Sequence, residues 1–394
     1  MSTILSHGTQ TGAQEYVCSV VADAQGLLGL RDEWTDLLLH SRCPNVFLSW
    51  EWMSAWMPTC GQRGTPSLLL LRRVKDGVLT GLAPLYRVSS RNPLGLRVIT
   101  FMGKGVGADH FAFVSRRGME RVVYEGLMDH LLSSPTWDVL DFPRMEEEQA
   151  AQVVDAVARC GTGAFRCVQT PADLCPFVPL PRTWDDYVRV IGRSNRAEMA
   201  RQWRRLREQG QVVIQRVQTF AELEQAWDIL LRLHQARTDA VGERSAFLAA
   251  PTRAFHEGFL RVALECGWLR FYLLRVDGRG VAANYCVSLG GRVSGLQTSF
   301  DEAWGRYGVG TLLMGHALQE AVAEGASEFD LLRGAETYKQ QKWAAQLRRD
   351  VSLVVYGHRP RVRLAMAAQR WRNSVKARLR GRLQSRTASG ESRL

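Results

Sequence analysis

Along the chain, short apolar runs alternate with longer stretches whose apolar residues recur every three to four positions. In the first half the short runs predict strands at 16–21, 67–74, 78–88, 97–102, 111–114 and 139–142. The longer ones predict helices at 27–40, 47–57, 119–132 and 150–160. Leu27, Leu30, Trp34, Leu37 and Leu38 share one helical face, and Trp50, Trp52 and Trp56 crowd the next helix. In the second half strands are expected at 212–217, 269–276, 281–289, 292–300, 329–332 and 352–356. Helices are expected at 184–191, 196–209, 220–240, 252–266 and 310–324. Asp76-Gly77 and Asp277-Gly278 sit where tight hairpin turns need them. A hairpin, a helix and a further strand follow in that order in both 67–142 and 269–332, which implies duplication of one α/β unit. Prolines 171, 176, 179 and 181 mark a linker at 171–183. The plan is a loose N-terminus (1–15), a first domain (16–170), the linker, a second domain (184–358) and a tail (359–394). The fold class is α/β (α+β).

Composition narrows the function classes. With 394 residues and 46% hydrophobic side chains, the chain is long enough for two cores. The formal charge is +12, but residues 359–394 hold eleven Lys/Arg against a single acid, Glu391. A basic tail on a nearly neutral body argues against a dedicated nucleic-acid binder. The eight cysteines show no C-x-x-C pair and no zinc-ligand spacing, so no metal is expected and the thiols read as reduced in a cytoplasmic protein. No signal peptide and no membrane span are predicted.

Candidate chemistry concentrates in 297–343. A strand leads into a loop holding Gly305, Gly308 and Gly310, and an amphipathic helix starts at once. Unpaired amides and the helix dipole suit a phosphate there; the alternative is a loop that merely turns the chain. Neither a P-loop nor a Rossmann fingerprint is present. Asp330 lies on an apolar strand, where burial would raise its pKa toward that of a base; otherwise it is a hydrogen-bonded strand-end residue. Glu336 reads as a base, an amine clamp, or a partner of Arg333 or Lys339. Tyr338 reads as a donor to a leaving group or as packing. His234 and Arg237 share a helical face, and His234 reads as a base or as a satisfied structural histidine. Asp109-His110 carries the same ambiguity. Six arginines in 193–207 surround an apolar edge, giving either a solvated helix or an anion-binding one. The tail 359–382 interleaves arginines with Val362, Leu364, Trp371 and Leu379. Docking on the body is its first reading, an anionic membrane surface its second and nucleic acid its third.

The order of hairpin, third strand, glycine loop, helix and strand resembles the GNAT superfamily of acyltransferases. It is most similar to the CelD/BcsL-type acetyltransferase domain of bacterial exopolysaccharide clusters, which is related to the Fem peptidoglycan aminoacyltransferases. The pieces that match are Ser194-x-Arg196, Leu233-His234-x-x-Arg237, Val281-Ala282-Ala283, Tyr307-x-x-Gly310-Thr311-x-Leu313 and the run from Phe329 to Lys339. In the first half, Glu33-Trp34, Phe47-x-x-Trp50-x-Trp52-x-x-x-Trp56 and Gly81-x-x-Pro84-Leu85 match too. Gly305 stands where the usual loop carries Arg or Gln, and Arg306 is shifted by one.

This resemblance implies two tandem GNAT-like domains, each with a mixed, mostly antiparallel sheet flanked by helices, plus a basic helical tail. It implies an acyl-CoA donor, acetyl-CoA first, held by Arg306, Gly308, Val309, Gly310 and Thr311. Catalytic candidates are Asp330, Glu336, Tyr338 and His234; substrate-binding candidates are Ser194, Arg196, Arg237, Arg333 and Lys339. The expected acceptor is an amino sugar or sugar-linked amine of envelope or exopolysaccharide synthesis. The tail 359–382 would contact the inner membrane face, and no specific nucleic acid is expected. Two alternatives are Fem-like transfer from aminoacyl-tRNA and a catalytically silent binding subunit.

Overall fold

A computed structural model describes residues 15–364 except 43, 89–94, 134–135, 162, 164, 243, 335–336 and 358. The first half runs β1 (Tyr16–Val21), α1 (Ala24–Leu28), α2 (Arg31–Leu39), α3 (Trp50–Cys60), β2 (Gly64–Pro66), β3 (Leu68–Arg73), β4 (Leu79–Ala83), β5 (Leu85–Val88), β6 (Val98–Phe101), β7 (Val114–Ser115), α4 (Glu120–Ser133), β8 (Val139–Glu146) and α5 (Glu147–Cys160). Strand β9 (Arg166–Pro179) crosses into the second half. There follow α6 (Trp184–Arg207), β10 (Val212–Arg216), α7 (Phe220–Val241), α8 (Ala250–Glu265), β11 (Leu269–Val276), β12 (Arg279–Leu289), β13 (Arg292–Phe300), α9 (Val309–Ala323), β14 (Glu328–Asp330), α10 (Thr337–Trp343) and β15 (Gln346–Tyr356).

Local chemistry sets several of these boundaries. Ser49 accepts the Trp52 amide and starts α3. Thr219 and Glu222 form a reciprocal capping box on α7. Gly192 breaks α6 with φ 84°, so its two arms match the two helices expected on either side of it.

The halves are joined by an exchange of strands. One sheet of eleven runs β10-β11-β12-β13-β14-β9-β15-β8-β6-β5-β2, and a second sheet of four holds β1-β3-β4-β7. In the middle, β9 from the first half pairs antiparallel with β14 of the second. In return, β15 from the second half pairs antiparallel with β8 of the first, and β9 and β15 pair with each other. Outside them come the parallel pairs β13–β14 and β6–β8. Outward from the β9–β15 pair the pairing is the same on both sides, antiparallel, parallel and then twice antiparallel, with β10 added at one end only, as expected of a duplicated unit.

Three sequence expectations are corrected here. The stretch 171–183 is not a free linker, because β9 extends through Pro179; Pro171 sits at a register shift against β15, and β9 gains its second partner strand, β14, only from Phe177. The helix expected at 27–40 is two helices, α1 and α2. Strand β15 begins at Gln346, not at 352, because Arg348 and Asp350 bury their charges in ion pairs and so disguise a central strand as polar. Helix α10 was not expected at all.

The second-half sheet is packed on both faces. Tyr272, Leu274, Ala282 and Cys286 share a core with α6 and α9. Phe271, Leu273, Ala283 and Tyr285, the alternate residues, share one with α7, α8 and the first half. Among the described residues no helix is long and apolar enough to cross a membrane. Residues 365–394, most of the expected tail helix, lie outside the described residues. The start of that tail is docked: Val362 is buried, and Arg361 clamps Asp138 at 2.7 and 2.9 Å.

Ending the chain at residue 345 removes β15 and uncovers the edges of β8 and β9 together. Expression of this form is expected to give aggregated protein. A monomeric product with a cooperative melt, read by size exclusion and circular dichroism, would show that the halves do not need the exchange.

Candidate active site

Strands β13 and β14 pair only over Arg292–Ser294 and Glu328–Asp330. Beyond that point they part. The Leu331 amide still donates to Pro176 of β9 (2.9 Å), so β14 stays with β9 and leaves β13. Leu332 adopts φ 53°, a left-handed conformation that costs a branched side chain energy. The carboxylate of Asp330 holds that turn by accepting the Leu332 amide at 2.9 Å. On the other side, β13 carries a bulge at Leu296, since Tyr285 faces Gln297 while Cys286 faces Gly295.

The resulting wedge is part of a cavity of about 680 Å³. Gly295–Thr298 line one side, and Leu331, Leu332 and Arg333 the other. At one end lies the start of α9, lined by Gly308, Val309, Gly310 and Thr311. Gly308 caps this helix at φ 71° and offers no side-chain cap, so the first-turn amides have no acceptor within the helix. Gly310 is needed for contact: a Cβ there would come within 2.9 Å of the Phe300 ring. At the other end lie Arg237 of α7, Phe247, and Thr252 and His256 of α8, with Gly105, Val106, Gly107 and Asp109 of the first half. Helix α9 packs on one face of the sheet and α7 and α8 on the other, so the cavity passes through the sheet at the wedge.

The first-half wall is anchored by the tryptophans of α3. Trp52 Nε1 donates to the Gly103 carbonyl at 3.3 Å, and Trp56 Nε1 to that of Lys104 at 2.9 Å. Trp52 also meets Phe255 and Phe259 of α8 edge-on, each at 4.7 Å. At the end of this loop Asp109 is fully buried, borders the cavity and pairs with Arg333 at 2.7 Å. Burial raises its pKa, and the charges of Arg333 and His110 offset only part of that rise.

Behind the wedge is a buried charge cluster. His110 Nδ1 lies 2.9 Å from Asp350 Oδ1, and Nε2 2.9 Å from Asp330 Oδ2. The His110 amide also donates to Asp350 at 3.0 Å. Burial alone would strip the imidazolium, but Asp330 and Asp350 outweigh it and raise the pKa well above its usual value. Asp330 moves the opposite way. Burial favours its neutral form, yet His110, with Arg292 and Arg348, holds it down to about 2. The sequence reading expected burial to raise this pKa. The structure reverses that, because the strand-end carboxylate faces a cation contributed by the other half. Cys175 lies beside His110 and Asp350, but its thiol is pushed far up by burial and the three groups do not make a convincing metal site.

The other site residues expected from sequence fall in three places. Gly308, Val309, Gly310, Thr311, Arg237, Arg333 and Lys339 line the cavity, and Lys339 Nζ donates to the Gly334 carbonyl at 3.0 Å. Ser194 and Arg196 are exposed on α6 and do not line it; Arg306 is exposed with its guanidinium 4.9 Å above the Tyr307 ring. His234 sits behind the wall. Its Nε2 lies 2.7 Å from Ser245 Oγ, and its Nδ1 lies 3.0 Å from the amide nitrogen of the cavity-lining Gln297. Burial and the nearby Arg237 lower its pKa. Asp330 is fully buried and does not line the cavity. Tyr338 belongs to α10, and Glu336 lies outside the described residues. Sequence reasoning missed the wall at 105–107 and His256. The only local signal for the wall was Gly103, Gly105 and Gly107, all at positive φ, just before Asp109-His110.

Residues 193–340 match the family model described as acetyltransferase (GNAT) domain. The match assigns that segment, less than half of the chain, to the GNAT acetyltransferase domains. No curated protein matches the chain. Among solved structures, FemX is similar with a TM-score of 0.62 and 11% identity, over 85% of this chain and 98% of that one. L-PGS from Bacillus licheniformis is similar with a TM-score of 0.51 and 12% identity, over 84% of this chain and 92% of that one. At these identities the likeness is one of fold.

His110→Gln leaves two buried carboxylates without their cation and is expected to cost about 3–5 kcal/mol of stability. A cationic group with a raised folded pKa stabilises fully below its unfolded value, about 6.5 for histidine, and loses this as pH rises through the folded value. The wild-type melting temperature is therefore expected to fall between pH 7 and pH 10 more steeply than that of His110→Gln. Parallel pH profiles would overturn the charge assignment.

Proposed function

We propose that the protein transfers an acyl group, acetyl first, from CoA to an amine on a small or sugar-linked acceptor. The observation that carries this is the cavity running from the open amides of α9 through the strand wedge to a chemically different chamber on the opposite face. The amides of Val309, Gly310 and Thr311 would hold the CoA diphosphate, with Arg306 adding charge from the preceding turn. The edge of β13 at Gly295–Thr298 would guide the pantetheine arm. The bulge at Leu296 frees backbone groups that can donate to the thioester oxygen as charge develops.

On the other side, an amine entering past Arg237 would reach the wedge beside Asp109. Its nitrogen attacks the thioester carbon, the carbon–sulfur bond breaks, and the amine gives up a proton. Asp109, with its raised pKa, is the base we favour, in place of Asp330, whose lowered pKa and burial leave it to hold the wedge open. Tyr338 keeps its proposed part as donor to the leaving sulfur, and Glu336, two residues earlier in the sequence, remains a second carboxylate candidate. His234 would act by orienting Gln297. Lys339 and Arg237 suit an anionic substituent on the acceptor. An amino sugar or sugar-linked intermediate of bacterial envelope or exopolysaccharide synthesis fits this chemistry, and the resemblance alone suggests that pathway. The basic segment 359–382 would hold the enzyme at the anionic inner face of a membrane.

A second reading, aminoacyl transfer from charged tRNA, is favoured by the likeness to FemX along nearly its whole length. Titration separates the two: acetyl-CoA is expected to bind at one saturable site. Binding of aminoacyl-tRNA without any heat from acetyl-CoA would favour the second reading. Thr311→Glu gives a sharper check. A carboxylate in the first turn favours the helix but repels a diphosphate, so acetyl-CoA affinity should drop at least about ten-fold without loss of thermal stability. Asp109→Asn should lower kcat by about 10²–10⁴-fold with acetyl-CoA affinity unchanged. In the wild type, activity should fall as pH drops through a value above the usual carboxylate range; an acid limb surviving in Asp109→Asn would assign the base elsewhere.

A further inference from the structure

His256 stands out among the groups around the cavity. It is 1% exposed, yet it lines the cavity, and no side chain among the described residues hydrogen-bonds either ring nitrogen; the Val106 backbone alone approaches the ring. Buried polar atoms left so are rare and mark a place that a ligand or water completes. Its surroundings explain why no side chain answers it. The rings of Phe247, Phe255 and Tyr285 lie 4.9, 5.0 and 5.7 Å away, with Trp52 and Trp227 each at 6.3 Å. The phenylalanines supply no hydrogen-bonding atom, and Trp52 and Trp227 spend their Nε1 donors on the Gly103 carbonyl and the Glu257 carboxylate. The Tyr285 hydroxyl is itself buried without a partner. Burial lowers the His256 pKa to about 3, against a weak opposing pull from the Val106 backbone.

The imidazole is therefore neutral under all working conditions. A neutral ring carries one N–H donor and one bare nitrogen acceptor. The Val106 backbone favours a proton on one ring nitrogen, which leaves the other as an acceptor on a side chain that lines the chamber. Such a nitrogen selects a group with a polar hydrogen and gives nothing to an anion. It is also a poor base, since its conjugate acid is too acidic to hold a proton taken from an amine. His256 lies on the α8 face of the sheet, across the wedge from the start of α9, and so on the acceptor side. Arg237 reaches the same chamber, is exposed, and makes no ion pair among the described residues.

We propose that His256 is a specificity-determining residue that hydrogen-bonds a hydroxyl of the acceptor, so that this chamber takes a hydroxylated amine with an anionic substituent held at Arg237. The proposal rests on the acyl-transfer reading above. It adds what the acceptor must carry besides its amine.

D-glucosamine 1-phosphate serves as the probe, with the full chain labelled at histidine with 13C and 15N. The His256 ring signals are identified by their loss in His256→Phe, which keeps the aromatic packing and removes two polar atoms that no side chain answers, so its melting temperature should equal or exceed the wild type. With CoA bound, the probe at roughly ten-millimolar concentration should shift the His256 signals, while acetyl-CoA alone leaves them in place. His256→Phe should raise KM for the probe at least about ten-fold with acetyl-CoA affinity retained. His256 signals silent to the probe, a response to acetyl-CoA alone, or an unchanged KM in His256→Phe would each overturn the proposal. Its failure is distinct from failure of the acyl-transfer reading, which is judged by whether the wild type binds acetyl-CoA at all.

Discussion

A strand cannot stay in a parallel ladder once its backbone turns left-handed, and Leu332 imposes that limit here. The turn survives because the carboxylate of Asp330 accepts the Leu332 amide while β14 remains hydrogen-bonded to β9 through Leu331. The sheet therefore opens on one side only, between β13 and β14. A continuous sheet would keep the two layers of helices in separate compartments. The opening lets a group bound at the start of α9 meet a group bound near α8 without either crossing the core.

The opening depends in turn on a charge that the second half does not own. Asp330 is ionised in a fully buried position because His110, on the first-half loop, stands beside it and is itself flanked by Asp350 of the exchanged strand β15. Charges buried this deep are expensive, and their mutual attraction repays that only when the geometry is kept. The loop 103–110, the wedge and β15 are thus coupled. Exchange of β9 and β15 between the halves fixes where His110 arrives, and the tryptophans of α3 fix the loop that carries it. The two halves wall one cavity together.

The sequence made the second half legible where it obeyed local rules. Hairpins at Asp-Gly, the glycine loop, and the amphipathic face of α9 all follow from backbone and burial preferences that act over a few residues. Gly308–Thr311, Arg237, Arg333 and Lys339, singled out from the chain and the resemblance, line the cavity. What escaped was non-local. The prolines of β9 look like a linker until β14 and β15 are seen to flank them. Arg348 and Asp350 look like loop residues until their partners arrive from elsewhere. Asp330 was expected to be a weak acid because its neighbours in sequence are apolar, whereas its neighbour in space is an imidazolium. His256 gave no signal, since a histidine on an otherwise apolar helical face usually means a satisfied core residue.

The duplicated unit shows by contrast what the open wedge requires. In the first half, β6 and β8 also pair in parallel, over Val98–Thr100 and Val139–Asp141. The chain leaving β6 then turns back beside β8, with Phe111 bridging to Met145. Phe101 stacks on Phe111 at 5.2 Å and meets Phe142 at 5.1 Å, and Phe113 closes on Phe142 at 5.6 Å. This opening is filled by the protein's own rings. The helix that follows is closed to anions as well: α4 begins with Glu120, whose carboxylate accepts the Gly118 amide at 3.1 Å, where α9 leaves its first turn bare. A carboxylate at a helix start repels an external diphosphate there. The same topology thus yields a sealed wedge in one half and an open one in the other. The difference rests on local chemistry within a shared topology: aromatic rings and Glu120 where the fold is closed, and Gly308, Gly310 and the turn held by Asp330 where it is open.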